Sequence, residues 1–253
     1  MKTRPGVELA SLTDVGCQRE NNEDGYVYWE PANDADFAKL GRLAIVADGM
    51  GGHEGGQIAS RLAVETFIKA YAGAADADPA KRLLSALKDA HRHIQECASE
   101  NPHLSSMGTT CTALALIDRR LYFVHVGDSR LYLLREGKLR ILSRDHTLIA
   151  RLLEKGLVQP EHAQDHPQKH VLTSALGVPG EEMEIDAPPQ PLPLHSNDIV
   201  MICTDGLWGQ MQDDEIESAL AFQSPDAACR SLVQLAKERG GPDNITLQVL
   251  RIN

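Results

Sequence analysis

The sequence predicts an α+β fold in which helices pack against antiparallel sheet. Short, continuous runs of branched and aromatic residues predict buried strands, and these runs come in neighbouring groups along the chain. Longer segments with a 3.6-residue apolar period predict amphipathic helices, which are grouped between the strands. Because parallel sheets need regular alternation of single strands and helices, this grouping favours antiparallel pairing.

Five segments have the length and composition of strands, and three have the periodicity of helices. The predicted strands are 43–47, 109–117, 121–126, 199–203 and 244–252. The predicted helices are 57–71, 80–98 and 225–238. Gly240 and Gly241 follow the last helix as a stop signal.

The segment 143–193 differs from its surroundings because it carries seven prolines and four histidines. It contains one short helix candidate, 146–155. We interpret the segment as a mobile excursion over the sheet, outside the core. An ordinary long connection explains the composition equally well, so both interpretations stay open.

Composition is that of a globular domain, with 42% apolar and 24% charged residues in a chain of 253. We expect a single domain over 1–253, without further domains, because strand and motif patterns span the chain. No 18-residue apolar run predicts a membrane helix, and the N-terminus lacks the apolar core of a secretory signal. Five cysteines without a CxxC pair indicate reduced thiols, and hence a cytoplasmic protein.

The net charge of −11 predicts neither nucleic acid nor an anionic membrane as a partner. A solvated acidic surface is the simplest explanation of this charge. A second explanation is that carboxylates cluster at one site to hold cations.

Aspartates at the ends of predicted strands favour the second explanation. A tight turn would account for any one Asp–Gly pair. Converging carboxylates repel one another, however, and hard cations with oxygen ligands relieve that repulsion. Glycine after an acid lets the backbone approach an ion, so the carbonyl of Gly49 is a further candidate ligand. The acids concerned are Glu23, Asp24, Asp48, Asp128, Asp205 and Asp243.

Other motifs fail on single residues. A phosphate-binding loop ending at Gly56 would need lysine where Gln57 stands, and a dinucleotide fingerprint from Gly49 meets Glu54 at its last glycine. Neither HExxH nor G-x-S-x-G occurs, and the cysteine and histidine spacing does not support a zinc site.

Eight ordered motifs resemble those of the PP2C-type, or PPM, protein phosphatases, in their bacterial branch. The motifs are TDVGCQRENNED (13–24), VADGMGGHEGGQIAS (46–60), MGTT (107–110), VGDSRLY (126–132), SRDHT (143–147), LTSALG (172–177), CTDGLW (203–208) and GGPDNIT (240–246). The resemblance implies a four-layer α-β-β-α sandwich of two antiparallel sheets flanked by helices. It also implies that 143–193 is the flap of this family.

The resemblance implies a centre of two Mn²⁺ or Mg²⁺ ions, with a possible third. Asp48 would bridge the two core ions, the carbonyl of Gly49 would bind one of them, and Asp205 and Asp243 would hold the second. The remaining implied roles are a third ion on Asp128 and Asp205, direct or water-mediated contacts from Glu23 and Asp24, and substrate phosphate on Arg19. Animal members carry a histidine directly after the bridging Asp-Gly. Met50 stands there in this chain, so His53 is a candidate general acid, with a structural role or metal-bound water as the alternatives.

The implied activity is hydrolysis of phosphoserine and phosphothreonine by metal-activated water, without a phosphoenzyme. The implied partners are phosphorylated proteins and a cognate bacterial Ser/Thr kinase, and we expect a monomer. A catalytically dead phosphoprotein-binding module would lack metal ligands, which this chain retains. A phosphatase for small phosphometabolites is the other alternative, and only substrate profiling separates it. The stretch 4–24 also resembles stand-alone phosphatases associated with type VI secretion.

Overall fold

Two five-stranded antiparallel sheets form the middle of the molecule, in a computed structural model that describes residues 4–51, 54–74, 78–163, 166–179 and 183–253. In spatial order the first sheet contains β1 (Val7–Asp14), β12 (Ile245–Ile252), β11 (Ile199–Cys203), β8 (Arg130–Arg135) and β9 (Lys138–Ile141). The second contains β10 (Leu192–Pro193), β7 (Arg120–Val126), β6 (Cys111–Ile117), β3 (Arg42–Ala47) and β2 (Gly25–Trp29). A short pair, β4 (Gly49–Met50) and β5 (Gly108–Thr109), lies beside them. The antiparallel prediction is confirmed.

The four longest helices cover the outer faces of the two sheets. The helices in the described ranges are α1 (Asp34–Leu40), α2 (Gly55–Gly73), α3 (Pro79–Glu100), α4 (Leu148–Glu154), α5 (Pro160–Ala163), α6 (Asp205–Trp208), α7 (Asp213–Phe222) and α8 (Pro225–Glu238), with a 3₁₀ turn at Pro102–Leu104. Helices α2 and α3 pack on the second sheet, and α7 and α8 pack on the first. The four-layer α-β-β-α sandwich is therefore confirmed.

Strand β3 shows why its sequence reads as an unbroken apolar run. Leu43 and Ile45 point outward to the core beneath α2 and α3, whereas Ala44 and Val46 point inward to the core between the two sheets. All four side chains are fully buried. A strand covered on both faces has no solvent side, so it does not alternate apolar with polar residues.

The predicted elements agree with the structure at their centres and differ at some ends. The helices predicted at 57–71 and 80–98 extend to Gly55–Gly73 and Pro79–Glu100, and the third spans Pro225–Glu238 as predicted. The strand predicted at 109–117 is wrong as one element, because Thr110 separates β5 from β6 and binds the backbone of Asp48. Several amphipathic or short elements were not predicted, namely β1, β2, α1, β8, β9 and α7.

The segment 143–193 crosses the end of the sandwich and carries α4 and α5. Isolated bridges join Thr147 to Leu172 and Leu176 to Thr109. Leu176 is fully buried in the core beneath α2 and α3, so the expectation that the whole segment lies outside the core is wrong at this point. No helix in the described ranges is both long and apolar enough to cross a membrane.

Candidate metal centre

Strand direction brings the predicted acids to one edge of the sandwich. Asp205 follows the end of β11 and Asp243 precedes the start of β12, and these antiparallel neighbours meet at that edge. In the other sheet, Asp48 follows β3, while Asp24 precedes β2, its antiparallel neighbour. Asp128 follows β7, whose end lies opposite the start of β6. The convergence predicted from strand ends is therefore present.

A cleft of about 620 Å³ opens at this edge, and we call it the acidic cleft. Its lining includes Arg19, Glu23, Asp48, Gly49, Asp128, Asp205 and Asp243. Seven of the predicted site residues thus share one surface. Asp24 follows Glu23 but is not part of this lining. Thr204 Oγ1 donates to Asp24 Oδ2 at 2.9 Å.

The backbone of Asp48 is fixed from two sides. Its N–H donates to Thr110 Oγ1 at 2.9 Å, and its carbonyl accepts from the N–H of Thr110 at 2.9 Å. Thr110 Oγ1 also contacts Ser129 Oγ at 2.8 Å. Ser129 adjoins Asp128, so this buried hydroxyl pair links two of the acids and supports their positions.

Glycine is required where Gly49 lies. A Cβ there would come within 2.2 Å of the Gly56 carbonyl oxygen and 2.5 Å of the Glu23 carbonyl oxygen. At Gly56, a Cβ would come within 2.0 Å of Glu23 Oε2. The first turn of α2 therefore packs directly against Glu23 and Gly49, and backbone rather than side chain borders the acids here.

The electrostatics of the acids favour the binding of a cation. Burial raises the pKa of Asp24 to about 7, with Asp205 and Asp243 adding to the shift. Burial, followed by the charge of Asp24, raises the pKa of Asp48 well above its ordinary value. Asp128 is 4% exposed, and its pKa is raised by burial and then by Asp205. Buried like charges of this kind are stabilised by a bound cation.

A buried oxygen without a partner supports the same conclusion. Oδ1 of Asp24 is buried and has no hydrogen-bond partner among the described residues. Such groups are rare in folded proteins and need an explanation, such as an ion or an ordered water. Hard carboxylate oxygens are the ligands that Mg²⁺ and Mn²⁺ favour. The residues present therefore fit a divalent metal centre.

Arg19 lies at the rim of the cleft and pairs with Asp243. Its Nη2 is 2.8 Å from Asp243 Oδ2, and 53% of its side chain is exposed. Burial disfavours the charged guanidinium, but Asp243 and nearby carboxylates outweigh it and raise the pKa of Arg19. Asn244 fixes the same loop, because its Oδ1 accepts from the N–H of Glu23 at 2.7 Å.

His170 is a site residue that the sequence analysis did not select. Its Nδ1 lies 3.2 Å from Asp205 Oδ2, and one ligand atom from each of Asp128, His170 and Asp205 fits within 4.8 Å. The histidine comes from the segment 143–193, far in sequence from either aspartate. Its position in a histidine-containing segment was the only available signal, and that signal did not separate it from three neighbouring histidines.

Comparison with known proteins decides the family. Residues 21–240 match the family model for protein phosphatase 2C. The chain belongs to the protein phosphatase 2C family. It is 37% identical over 247 residues to the serine/threonine protein phosphatase PstP of Mycobacterium tuberculosis, covering 96% of this chain and 44% of PstP. The chain thus spans less than half the length of that curated relative.

Solved structures of the protein phosphatase 2C family share the fold over nearly the whole chain. The catalytic domain of PstP in complex with two manganese ions superposes with a TM-score of 0.82 at 31% identity, covering 98% of each chain. PppA, a regulatory component of the type VI secretion system in Pseudomonas aeruginosa, superposes with a TM-score of 0.79 at 33% identity, again covering 98% of each chain.

Met50 and His53 are the two residues that the comparison with animal members singled out. Met50 lies in β4 beside Gly49 and lines the acidic cleft. His53, the candidate general acid, lies outside the described residues. Cys111 and Cys203 are poorly suited to act as thiol nucleophiles. Burial raises the pKa of Cys111 to about 12, and it also raises the pKa of Cys203.

Proposed function

We propose that this chain is a metal-dependent protein serine/threonine phosphatase that hydrolyses phosphoserine and phosphothreonine esters with water as the nucleophile. The observation that carries the proposal is the convergence of Asp48, Asp128, Asp205 and Asp243 on one cleft with Arg19 at its rim. An anionic substrate could not approach such a cleft unless cations first offset the carboxylates.

The resemblance to the protein phosphatase 2C family assigns the residues that would hold the cations. Asp48 would bridge two Mn²⁺ or Mg²⁺ ions, and the carbonyl of Gly49 would bind one of them. Asp205 and Asp243 would hold the second, with Glu23 and Asp24 acting directly or through water. Asp128 and Asp205 would hold a possible third ion, to which His170 could offer a nitrogen ligand.

The chain's own groups would bind and orient the substrate. Bound Mn²⁺ or Mg²⁺ would supply activation of water and would offset charge on the phosphoryl oxygens. Arg19 would bind two phosphate oxygens through its planar guanidinium and so align phosphorus in the cleft. The leaving alkoxide needs a proton, for which His53 is the candidate side chain and solvent the alternative.

Two other activities would use the same cleft differently. A phosphatase for small phosphometabolites would need no contacts to a peptide chain around the phosphorylated residue. A phosphoprotein-binding module without turnover is disfavoured, because the carboxylates required for metal are all present. We further propose a cytoplasmic monomer that opposes a Ser/Thr kinase, with a role in type VI secretion as the more specific possibility suggested by the likeness to PppA.

The deciding experiment compares a phosphothreonine peptide with a panel of small phosphomonoesters, each with added Mn²⁺, with added Mg²⁺ and after chelation. We expect rapid peptide hydrolysis that needs added metal and stops with chelator. Full turnover by chelator-treated, metal-free protein would contradict the mechanism. Turnover confined to one small metabolite would favour the alternative substrate class.

A further inference from the structure

A second cavity lies on the other side of His170 from the metal carboxylates. It measures about 650 Å³, comparable with the acidic cleft, and we call it the flap cavity. His170 lines both cavities, so the flap cavity borders the place where a substrate phosphate would bind. None of the roles assigned above uses this cavity.

The walls of the flap cavity combine apolar and polar residues, and the apolar ones come from two layers. Ile149 and Leu153 of α4 face it from the flap, and Trp208 and Met211 face it from the first-sheet side. Ile149 and Met211 are at least 91% buried. A ligand side chain that entered between these residues would contact hydrocarbon.

The charged pair on the floor of the flap cavity is already satisfied. Arg130 donates to Asp145 through Nε at 3.1 Å and through Nη2 at 2.7 Å. Its guanidinium also stacks on Trp208, with Cζ 3.5 Å from the ring centroid. Neither charge is therefore available to a ligand, and the pair acts as a neutral surface.

Two aspartates at the mouth of the flap cavity are not satisfied in this way. Asp213 and Asp214 are exposed in the first turn of α7, and they form no ion pair with the described residues. They are not needed to cap the helix, because Gln212 and Glu215 form its capping box. Lys169 brings one positive charge from the flap side, so two unpaired carboxylates leave the mouth net negative.

From this arrangement we infer that the flap cavity is a specificity subsite for a basic side chain of the phosphoprotein substrate, close in sequence to the phosphoresidue. Arginine and lysine combine an apolar stem with a cationic end. The stem would lie between Leu153 and Met211, and the cation would reach Asp213 and Asp214. This inference rests on the proposed function, since it concerns the substrate of the same cleft.

Contact in the flap cavity would also act on the metal centre. Trp208 Nε1 donates to the carbonyl of Asp128 at 2.9 Å, and His170 contacts Asp205. A side chain packed against Trp208 and His170 would restrict both of those aspartates. Recognition would therefore affect turnover as well as binding.

The test uses paired phosphothreonine peptides that differ only in arginine or citrulline at one position, scanned on both sides of the phosphoresidue. Citrulline keeps the shape and removes the charge. We expect wild-type kcat/KM to favour arginine by about 5-fold at one position, the scale of a partly exposed ion pair. In Asp213→Asn/Asp214→Asn protein the ratio should fall to about one, and in Asp213→Lys/Asp214→Lys protein it should invert.

A control variant separates the subsite from general attraction by a chain of net charge −11. Asp226→Asn/Glu238→Gln also removes two negative charges, but from α8, and this variant should keep the wild-type ratio. A wild-type ratio of one at every position, or an unchanged ratio in Asp213→Asn/Asp214→Asn protein, would overturn the inference and leave the phosphatase activity standing. Failure of wild-type protein with Mn²⁺ to hydrolyse either peptide would overturn both.

Discussion

Arg19 and Asp243 form an ion pair in which Nη2 lies 2.8 Å from Oδ2. The two residues have different proposed partners, since Arg19 would bind substrate phosphate and Asp243 would bind metal. The pair keeps both groups at the cleft, and a cation on Asp243 would compete with the guanidinium. Metal binding and the release of Arg19 toward phosphate are therefore expected to be coupled.

Replacing Arg19 by alanine should raise KM for a phosphopeptide clearly and lower kcat less, because the metal ligands remain. Lysine should rescue only part of the loss, since a point charge cannot make a paired contact. Mn²⁺ affinity should be unchanged or slightly higher, because a competing cation is removed. Steady-state kinetics with metal titration measures all three, and Arg230→Ala on α8 is the matched control. A wild-type KM and kcat/KM in Arg19→Ala protein would reduce Arg19 to a salt-bridge residue.

The isosteric changes Asp205→Asn and Asp243→Asn should each abolish turnover without unfolding the chain. Each removes a charged metal ligand at the rim of an intact sandwich, and each also reduces repulsion in the metal-free state. Measurements of kcat and of thermal unfolding test this, with Asp226→Asn as the control for a surface aspartate. Near wild-type kcat with bound metal in either variant would mean that the site is misplaced.

His170→Ala should weaken the most weakly bound Mn²⁺ by about tenfold, the scale seen when a contact to metal ligands is removed. The reason is its position, 3.2 Å from Asp205 and beside Asp128. Calorimetric titration of metal-free protein with Mn²⁺ gives the stoichiometry and the affinities. His162→Ala, an exposed histidine of the same segment, should bind Mn²⁺ as wild type does. Identical titrations for the two variants would remove His170 from the centre.

Cys203→Ser should keep kcat on a phosphopeptide while losing some stability. The thiol is fully buried and its pKa is raised by burial, so it supplies no thiolate for covalent catalysis. A hydroxyl in that apolar position is expected to cost about 1–3 kcal/mol if it finds no partner. Activity at a temperature well below the melting point distinguishes the two effects. A folded but inactive Cys203→Ser protein would reopen a covalent mechanism.

As pH falls from about 6.5 toward 3, His125 should contribute a loss of stability to the metal-free protein, opposite in sign to the contribution of the buried carboxylates Asp24, Asp48 and Asp128. Burial lowers the pKa of His125 from 6.5 to about 3, and the neutral ring contacts Thr112 Oγ1 at 2.8 Å. In this interval the unfolded chain binds a proton that the folded chain does not, so acid favours unfolding. The change in the free energy of unfolding between pH 7.5 and pH 5, measured with denaturant, should be less destabilising for His125→Gln than for wild type. His103→Gln, on the surface, should show the wild-type change, and equal changes in all three proteins would exclude His125 as a source.

The sequence by itself determined the antiparallel α+β class of this protein and the acids at its candidate site, and the resemblance carried by its motifs implied the four layers. Strands buried on both faces, such as β3, read as unbroken apolar runs, and α8 carries its own periodicity and stop signal. The aspartates at strand ends could be predicted because the apolar run that marks a strand, and so the residue at its end, is visible in the local sequence. The ordered motifs gave the protein phosphatase 2C family, which the comparisons confirm.

Tertiary structure decided which groups face one another. The break at Thr110 depends on Asp48 from another strand, and the pairing of Arg19 with Asp243 joins residues near opposite ends of the chain. His170 reaches Asp205 only because the flap folds back over the sheet edge. These contacts depend on how distant segments pack against one another, and no periodicity or spacing within one segment carries that information.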